Sequence, residues 1–364
     1  MQSALAAAIA PADFNPLRRY LTEQVVSIAH RLDSESAMLF EAFEELGKRE
    51  LLVPKSPVAL GGLGLNTLDF LQFQSLIAQH SGALAFLQTQ HQSAANFLLA
   101  SQNRALAEAY LPAMAVGEKR VGVGFSQLRR EPAPLVAQPV AGGYRLRGEV
   151  PWVSGAGLFD EFVGAAMLPT GEAVFGLLPL VSCGDSEAQI AVSEPMALFA
   201  MAATNTVCVQ LQNWFLPAAQ VVGIRPKGWI AKRDRTHPLS PLGLMFGCTQ
   251  AGIDSLQTSL KRRQIDKAIA NTLTAQLSQL QAELPEMMAL PEDTYRQKLA
   301  LRGRAISLMN TCAQAAIIAA SGAANVLGHP AQRVYKESLV FSVSGQTTAG
   351  AIASLSQLLP GPSA

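Results

Sequence analysis

The chain has 364 residues, 49% hydrophobic and 15% charged, with a formal net charge of +1. This length suits two or three domains with large cores, and the near-neutral balance gives no electrostatic case for nucleic acid or an acidic membrane surface. So low a charged fraction suggests surface buried between subunits, and a homodimer or homotetramer is expected.

The opening residues, MQSALAAAIAPADF, have no basic stretch and only a short apolar run, so no signal peptide is expected. No apolar run approaches the ~18 residues of a spanning helix, so no membrane association is expected. Cys183, Cys208, Cys248 and Cys312 form no CxxC pair and read as free buried thiols in a reducing, cytoplasmic compartment. The five histidines show neither HxxxH nor HExxH spacing, so no metal site is expected.

Residues 17–52 read as two helices, with Leu32, Met38, Leu39, Phe43 and Leu46 at helical intervals. A Gly/Pro-rich break follows from Pro54 to Gly64, and helical pattern resumes from Thr67 to about Gly117. From Val121 the period becomes two. Gly143–Gly148 and Val207–Gln212 alternate, and the apolar runs Phe162–Met167 and Val174–Leu180 lie between them, which predicts an antiparallel β domain. After Pro238 the helical period returns. One stripe runs from Leu242 to Leu260 and a second from Ile269 to Leu284; residues 293–320 and 347–359 supply two more, with a short helical turn near Tyr335. The expected class is α+β, mainly α: an N-terminal helical domain over 1–117, a middle antiparallel β-barrel-like domain over 118–236, and a C-terminal four-helix bundle over 237–364.

Four motifs sharpen this order. Leu51-Leu-Val-Pro-Lys-Ser-Pro-Val-Ala-Leu-Gly-Gly-Leu-Gly-Leu resembles the acyl-CoA dehydrogenase signature GLLGLLVPEEYGGLGL. Gly142-Gly-Tyr-Arg-Leu-Arg-Gly-Glu-Val-Pro-Trp-Val-Ser-Gly resembles that family's GGYVLNGTKMWITNG. Thr206-Val-Cys-Val-Gln-Leu-Gln-Asn-Trp-Phe-Leu-Pro-Ala-Ala-Gln-Val-Val-Gly is similar to TAELVFEDVRVPAENLLG, and His329-Pro-Ala-Gln-Arg-Val-Tyr-Lys-Glu-Ser to YPVERLYRDA. The matches occur in family order across roughly residues 40 to 350.

By itself Trp152 reads as an ordinary core tryptophan at a strand end, and Gly61-Gly-Leu-Gly as a plain loop. The resemblance implies more. It places Trp152 and Ser154 beside a flavin ring, the indole stacking on it and the hydroxyl bonding N5. It makes Phe125 and Ser126 the start of a flavin-contacting loop, and counts Gln346 and Thr347 among the cofactor-binding residues. The implied cofactor is FAD, with FMN or no cofactor left open.

The departures bear on activity. The loop after Phe125-Ser126 lacks the family's Gly-Ser-Asp, whose serine contacts acyl-CoA. Lys261-Arg-Arg-Gln264 replaces an Arg-x-Gln-Phe-Gly turn that reaches the flavin diphosphate, and reads more simply as a solvated charge run. Ile318-Ala-Ala-Ser-Gly-Ala-Ala replaces Gln-x-x-Gly-Gly-x-Gly, which contacts the adenosine half. Ten residues on from Tyr335, where the family keeps its catalytic glutamate, stands Gly345; Gln346 follows it. The alternative family position for the base, at the start of the bundle, reads Ser240-Pro241.

Three readings follow. The first is a flavin-dependent oxidoreductase, acyl-CoA dehydrogenase-like or monooxygenase-like, acting on a small molecule such as an acyl thioester. The second is an acyl-CoA dehydrogenase with its base elsewhere, at Glu131 or Glu337. The third is a cofactor-free binding or scaffolding protein of the same fold. No catalytic residue is assigned, and whether the chain is an enzyme stays open.

Overall fold

The computed structural model describes residues 13–358. The residues read for a leader lie largely outside this range, and so does the last residue of the helix expected over 347–359.

The N-terminal part is helical. α1 (Asn15–Tyr20) starts on Pro16, widens into a π-turn over Leu21–Val25 and then tightens into short turns that end at Asp33. α2 (Ser36–Gly47) buries Leu39, Phe43 and Leu46, three and four residues apart, as an apolar stripe requires. The break from Pro54 to Gly64 closes on itself: a Cβ at Gly62 would lie 2.0 Å from the Ser56 carbonyl oxygen, so only glycine fits there. α3 (Thr67–His80), α4 (Gly82–Leu99) and α5 (Arg104–Val116) each start on a side-chain cap, from Asn66, Ser81 and Asn103.

The strands are β1 (Val121–Gly124), β2 (Leu135–Val140), β3 (Gly143–Val153), β4 (Glu161–Met167), β5 (Ala173–Pro179), β6 (Cys183–Gly184), β7 (Gln189–Val192), β8 (Val207–Pro217) and β9 (Val221–Arg225). They form one sheet in the order β6-β7-β8-β3-β2-β4-β5-β9, with β1 added on β4. The expected antiparallel pattern holds for most pairs, but the sheet is mixed: β1 and β2 both run parallel to β4. The chain leaves β1, makes the β2–β3 hairpin and only then enters β4. Such a crossover returns the chain in the same direction, a relation that strand alternation does not reveal.

The C-terminal helices are α6 (Trp229–Thr236), α7 (Leu242–Arg263), α8 (Ala268–Ala289), α9 (Tyr295–Ala320), α10 (Pro330–Val343) and α11 (Thr348–Leu355). α7 lies at the centre, against α3, α8, α9 and α10. Glycines let α7 approach α3 closely: a Cβ at Gly247 would sit 2.3 Å from the Ser75 carbonyl oxygen. Two expectations are corrected. The short turn near Tyr335 is the fourteen-residue helix α10, whose stripe includes buried Glu337 and Ser338 and so escapes an apolar count. The helix expected over 347–359 is eight residues long, α11, followed by a tight turn at Ser356–Leu358. By length and composition the helical stretch Glu292–Asn325 is long and apolar enough to cross a membrane, as a core helix can also be, and half of its most apolar window is buried inside the protein. It holds α9, a core helix that buries Leu301, Met309, Cys312 and, unusually, Lys298 and Arg302.

Single buried residues join the three parts. Asp33 accepts from the Met201 N–H at 2.7 Å and pairs with Lys336 at 3.3 Å. His91 accepts from the Val121 N–H at 3.1 Å through Nδ1 and donates from Nε2 to the Met114 carbonyl at 3.0 Å. Burial pushes its pKa down to about 4, so the ring is neutral.

Candidate functional site

Three segments matter: the end of β1, the end of β3, and the connection from α10 to α11. The first two lie side by side. A Cβ at Gly124 would meet the Val150 and Val153 side chains at 2.8 and 2.9 Å. Phe125 and Ser126 therefore leave the sheet beside Trp152 and Ser154.

Trp152 is 48% exposed, so the core tryptophan of the plain reading is instead a flat ring left facing outward. Ser154 is buried, and its hydroxyl lies 2.7 Å from Thr206 Oγ1. Thr206 Oγ1 is also 3.3 Å from Thr204 Oγ1, and Thr204 donates to the Met201 carbonyl at 2.8 Å. The three hydroxyls form one chain that ends on the Met201 carbonyl, and it ties Ser154 to the segment before β8.

Phe125 belongs to an aromatic cluster. Its ring centroid is 5.2 Å from Phe97, 6.2 Å from Phe175 and 6.2 Å from Trp229 of α6. Ser126 is exposed and opens a short turn that ends at Arg129. Arg129 makes a two-pronged ion pair with Asp234 of α6, at 2.8 and 2.7 Å. This pins the β1 loop to α6. The neighbouring Arg233 lies over Phe125 at 5.3 Å and over Trp229 at 5.9 Å.

The α10–α11 connection is held from beneath by Arg302 of α9. That side chain is only 4% exposed, and it donates to the carbonyls of Ser344 (2.7 Å), Gly345 (3.3 Å) and Pro238 (3.4 Å). Gly345 is exposed with φ +60°, and a Cβ there would meet nothing within 4 Å. The place where a glutamate is expected is open space. Gln346 donates to the Ser342 carbonyl at 3.3 Å, and its own Oε1 is buried with no partner among the described residues. Thr347 caps α11 by accepting the Gly350 N–H at 3.1 Å, so its oxygen is already engaged.

The two carboxylates considered as displaced bases are differently placed. Glu131 is exposed in the loop before β2. Glu337 is fully buried: Oε1 accepts from the Gly82 N–H at 2.8 Å and Oε2 pairs with Arg333 at 2.7 Å. Burial pushes this carboxyl up, opposed by Arg333 and the Gly82 N–H. Both oxygens are occupied, and Gly345 is eight residues further on, roughly 12 Å by helical rise. Glu337 is a structural group. Ser240 sits in the exposed turn before α7. Among the described residues no group of three His, Cys, Asp or Glu side chains is arranged to hold a metal.

Residues 15–118 match the acyl-CoA dehydrogenase N-terminal domain. A glutaryl-coenzyme A dehydrogenase solved with glutaryl-CoA superposes with TM-score 0.74 at 20% identity, covering 94% of this chain and 93% of that one. The acyl-CoA dehydrogenase of Geobacillus kaustophilus gives 0.75 at 11%, covering 94% and 96%. The whole chain carries the acyl-CoA dehydrogenase fold, and its N-terminal helical part matches that family's N-terminal domain. KijD3, solved with FMN and dTDP-3-amino-2,3,6-trideoxy-4-keto-3-methyl-D-glucose, gives 0.76 at 21%, covering 95% of each chain. No curated protein sequence matches the chain significantly.

Sequence reasoning missed Arg129, Arg233 and Arg302. The run Arg233-Asp-Arg looks like a solvated helix face, and Arg302 sits in an otherwise ordinary amphipathic stripe. Only the partners reveal their roles.

Proposed function

We propose that this protein is a flavin-dependent oxidoreductase that does not perform standard acyl-CoA dehydrogenation. One observation carries the second half of the reading: the α10–α11 connection, anchored by Arg302, presents glycine and open space where the acyl-CoA dehydrogenases keep a carboxylate. An α-proton of a thioester is weakly acidic and needs a positioned base. Gly345 and Ser240 offer none, Glu337 is spent, and Glu131 is solvated.

The residues present fit a flavin ring. Trp152 leaves a flat apolar face uncovered, Ser154 carries a hydroxyl beside it, and Gln346 Oε1 is a buried acceptor lacking a donor among the described residues. A bound flavin would supply hydride acceptance, or oxygen chemistry in its reduced form. Trp152 would exclude water from one face of the ring, Ser154 would place a hydroxyl at its edge, and Phe125 and Ser126 would line the approach. The fit is poorer at the nucleotide end. Arg263 already donates to the Ala319 carbonyl at 3.1 Å, and Ile318 is exposed where the family has a polar contact. This supports FAD less strongly than a flavin of either kind; fold neighbours have been solved with FMN and with FADH2. The same feature is what favours the alternative, a cofactor-free binding or scaffolding protein.

The purified protein should be yellow or take up FAD or FMN on mixing; a colourless protein that takes up neither would overturn the reading in favour of the alternative. Anaerobic mixing of the flavin-loaded protein with acyl-CoAs of several chain lengths should leave the flavin unbleached, or bleach it about 10²–10⁴-fold more slowly than a base-containing enzyme does. Fast bleaching with any of them would restore dehydrogenation. We further propose a homodimer or homotetramer. Ile318, Leu339, Val343, Ile352 and Leu355 leave an apolar surface on α9–α11, and light scattering that returned the monomer mass of 38.6 kDa would exclude it.

A further inference from the structure

Ser154, Thr206 and Thr204 form a hydrogen-bond chain whose direction follows from counting hydrogens. Ser154 Oγ lies 2.7 Å from Thr206 Oγ1, Thr206 Oγ1 lies 3.3 Å from Thr204 Oγ1, and Thr204 donates to the Met201 carbonyl at 2.8 Å. All three side chains are buried, and their hydroxyls have no other hydrogen-bond partner among the described residues. A hydroxyl has one hydrogen to give and two lone pairs. The hydrogen of Thr204 goes to Met201, so Thr204 is the acceptor in its contact with Thr206. Thr206 therefore donates to Thr204, and Ser154 donates to Thr206. The reverse order fails at one end. If Thr206 donated to Ser154, the Ser154 hydrogen would have no acceptor among the described residues, and a buried donor without a partner is costly. One direction alone gives every hydrogen an acceptor, and bonds running the same way strengthen one another. The backbone keeps the spacing: Gly155 donates its N–H to the Thr204 carbonyl at 2.7 Å, and Ala156 to the Asn205 carbonyl at 3.2 Å. What the chain leaves at its Ser154 end is an oxygen with lone pairs and no hydrogen to offer.

We infer that Thr206 and Thr204 are positioning residues: they fix Ser154 as a hydrogen-bond acceptor, and so bias the site towards reduced flavin, which carries a hydrogen on N5, and away from oxidised flavin, which presents a lone pair there. The word flavin rests on the function proposed above; the polarity of the hydroxyl chain does not. Two-electron reduction of flavin adds a proton at N5, so only the reduced ring has a hydrogen to give to Ser154 at that atom. The oxidised ring would set N5 against the Ser154 oxygen as two acceptors with no hydrogen between them, and such a contact forms no bond. A free serine hydroxyl would turn to suit either form. Thr206 and Thr204 remove that choice without reaching the ring themselves, and the removal of either should restore it.

Two measurements test this. Neutron diffraction from crystals of the unaltered protein grown in deuterated medium locates the hydroxyl deuterons directly. The Ser154 deuteron should lie between Ser154 Oγ and Thr206 Oγ1; a Thr206 deuteron aimed at Ser154 overturns the inference, whether or not flavin is bound. The second measurement is the two-electron potential of the flavin-loaded protein, titrated anaerobically with dithionite against an indicator dye. Thr206→Val should lower it by about 30 mV, which is a tenfold loss of preference for the reduced form. Thr206→Ser keeps the hydroxyl and should keep the potential. In a Ser154→Ala background, Thr206→Val should have no further effect, because it acts through Ser154. Circular dichroism checks that each variant folds; if Thr206→Val does not, Thr204→Val makes the same comparison from the other end. A potential that the folded valine variant leaves unchanged, or shifts equally without Ser154, overturns the inference. The two proposals fail separately. Uptake of neither FAD nor FMN sinks the oxidoreductase reading and the choice of ligand, and the deuteron then upholds or overturns the polarity by itself. A flavin-loaded protein whose potential ignores Thr206 sinks this inference alone.

Discussion

Glu337 on α10 is a fully buried charge and Arg233 on α6 a partly buried one, and their surroundings are opposite. Glu337 meets Arg333 and the first N–H of α4, and the backbone is shaped around it: a Cβ at Gly82 would lie 2.7 Å from its carboxyl carbon. Arg233 meets only rings. A paired buried charge is part of the scaffold, because both partners were desolvated together during folding. A partly exposed guanidinium lying over ring faces keeps water on its remaining donors and needs no such partner. The same contrast separates His91, with both ring nitrogens engaged, from Trp152, with half its ring uncovered.

The contrast can be broken experimentally, most strongly at Glu337. Glu337→Ala leaves Arg333 buried without its carboxylate and should cost about 3–5 kcal/mol. Urea unfolding would measure this, and a loss below about 1 kcal/mol would mean that Glu337 is not part of the scaffold.

His91 should give the next largest effect, through pH. Its folded pKa of about 4 lies below the ordinary value of 6.5, so acid protonates the unfolded chain first. The contribution of the neutral ring is complete above pH 6.5 and is lost as the pH falls from there towards 4. The total is about 3 kcal/mol, at 1.36 kcal/mol per pKa unit. His91→Gln should flatten the decline in unfolding free energy over that window; an unchanged slope would assign the decline to other groups.

On the open side, Trp152→Ala should change stability little, because the ring is half exposed, while weakening flavin retention by about 1–2 kcal/mol. Equilibrium dialysis of variant against unaltered protein reads this out, and equal retention would remove Trp152 from the site. The smallest effect is expected at Arg233. Arg233→Met should leave the melting temperature nearly unchanged, since a partly exposed cation over ring faces contributes little and methionine keeps the apolar contact. A drop as large as that of Glu337→Ala would make Arg233 scaffold after all.

Local pattern settled a large part of this protein. Helical period, the change to alternation after Val121, the return of the helical period after Pro238, and four motifs in order were enough to give helices, a sheet and helices again, with the family resemblance attached. Those signals are short-range: apolar stripes, caps and turn residues act within a few positions of each other. α10 was underestimated because its buried face carries Glu337 and Ser338, which look like surface residues until Arg333, Gly82 and the Tyr335 carbonyl are seen beside them. The parallel entry of β1, the hydroxyl contact of Ser154, the Arg302 anchor beneath Gly345 and the ring contacts of Arg233 were likewise decided by the tertiary structure. Each depends on partners far along the chain: Thr206 for Ser154, Ser344 and Pro238 for Arg302, Phe125 for Arg233. Sequence fixes which residues carry charge and hydrogen-bonding groups; whether a charge is matched or left waiting is a property of the pair, and the pair exists only once the chain has folded.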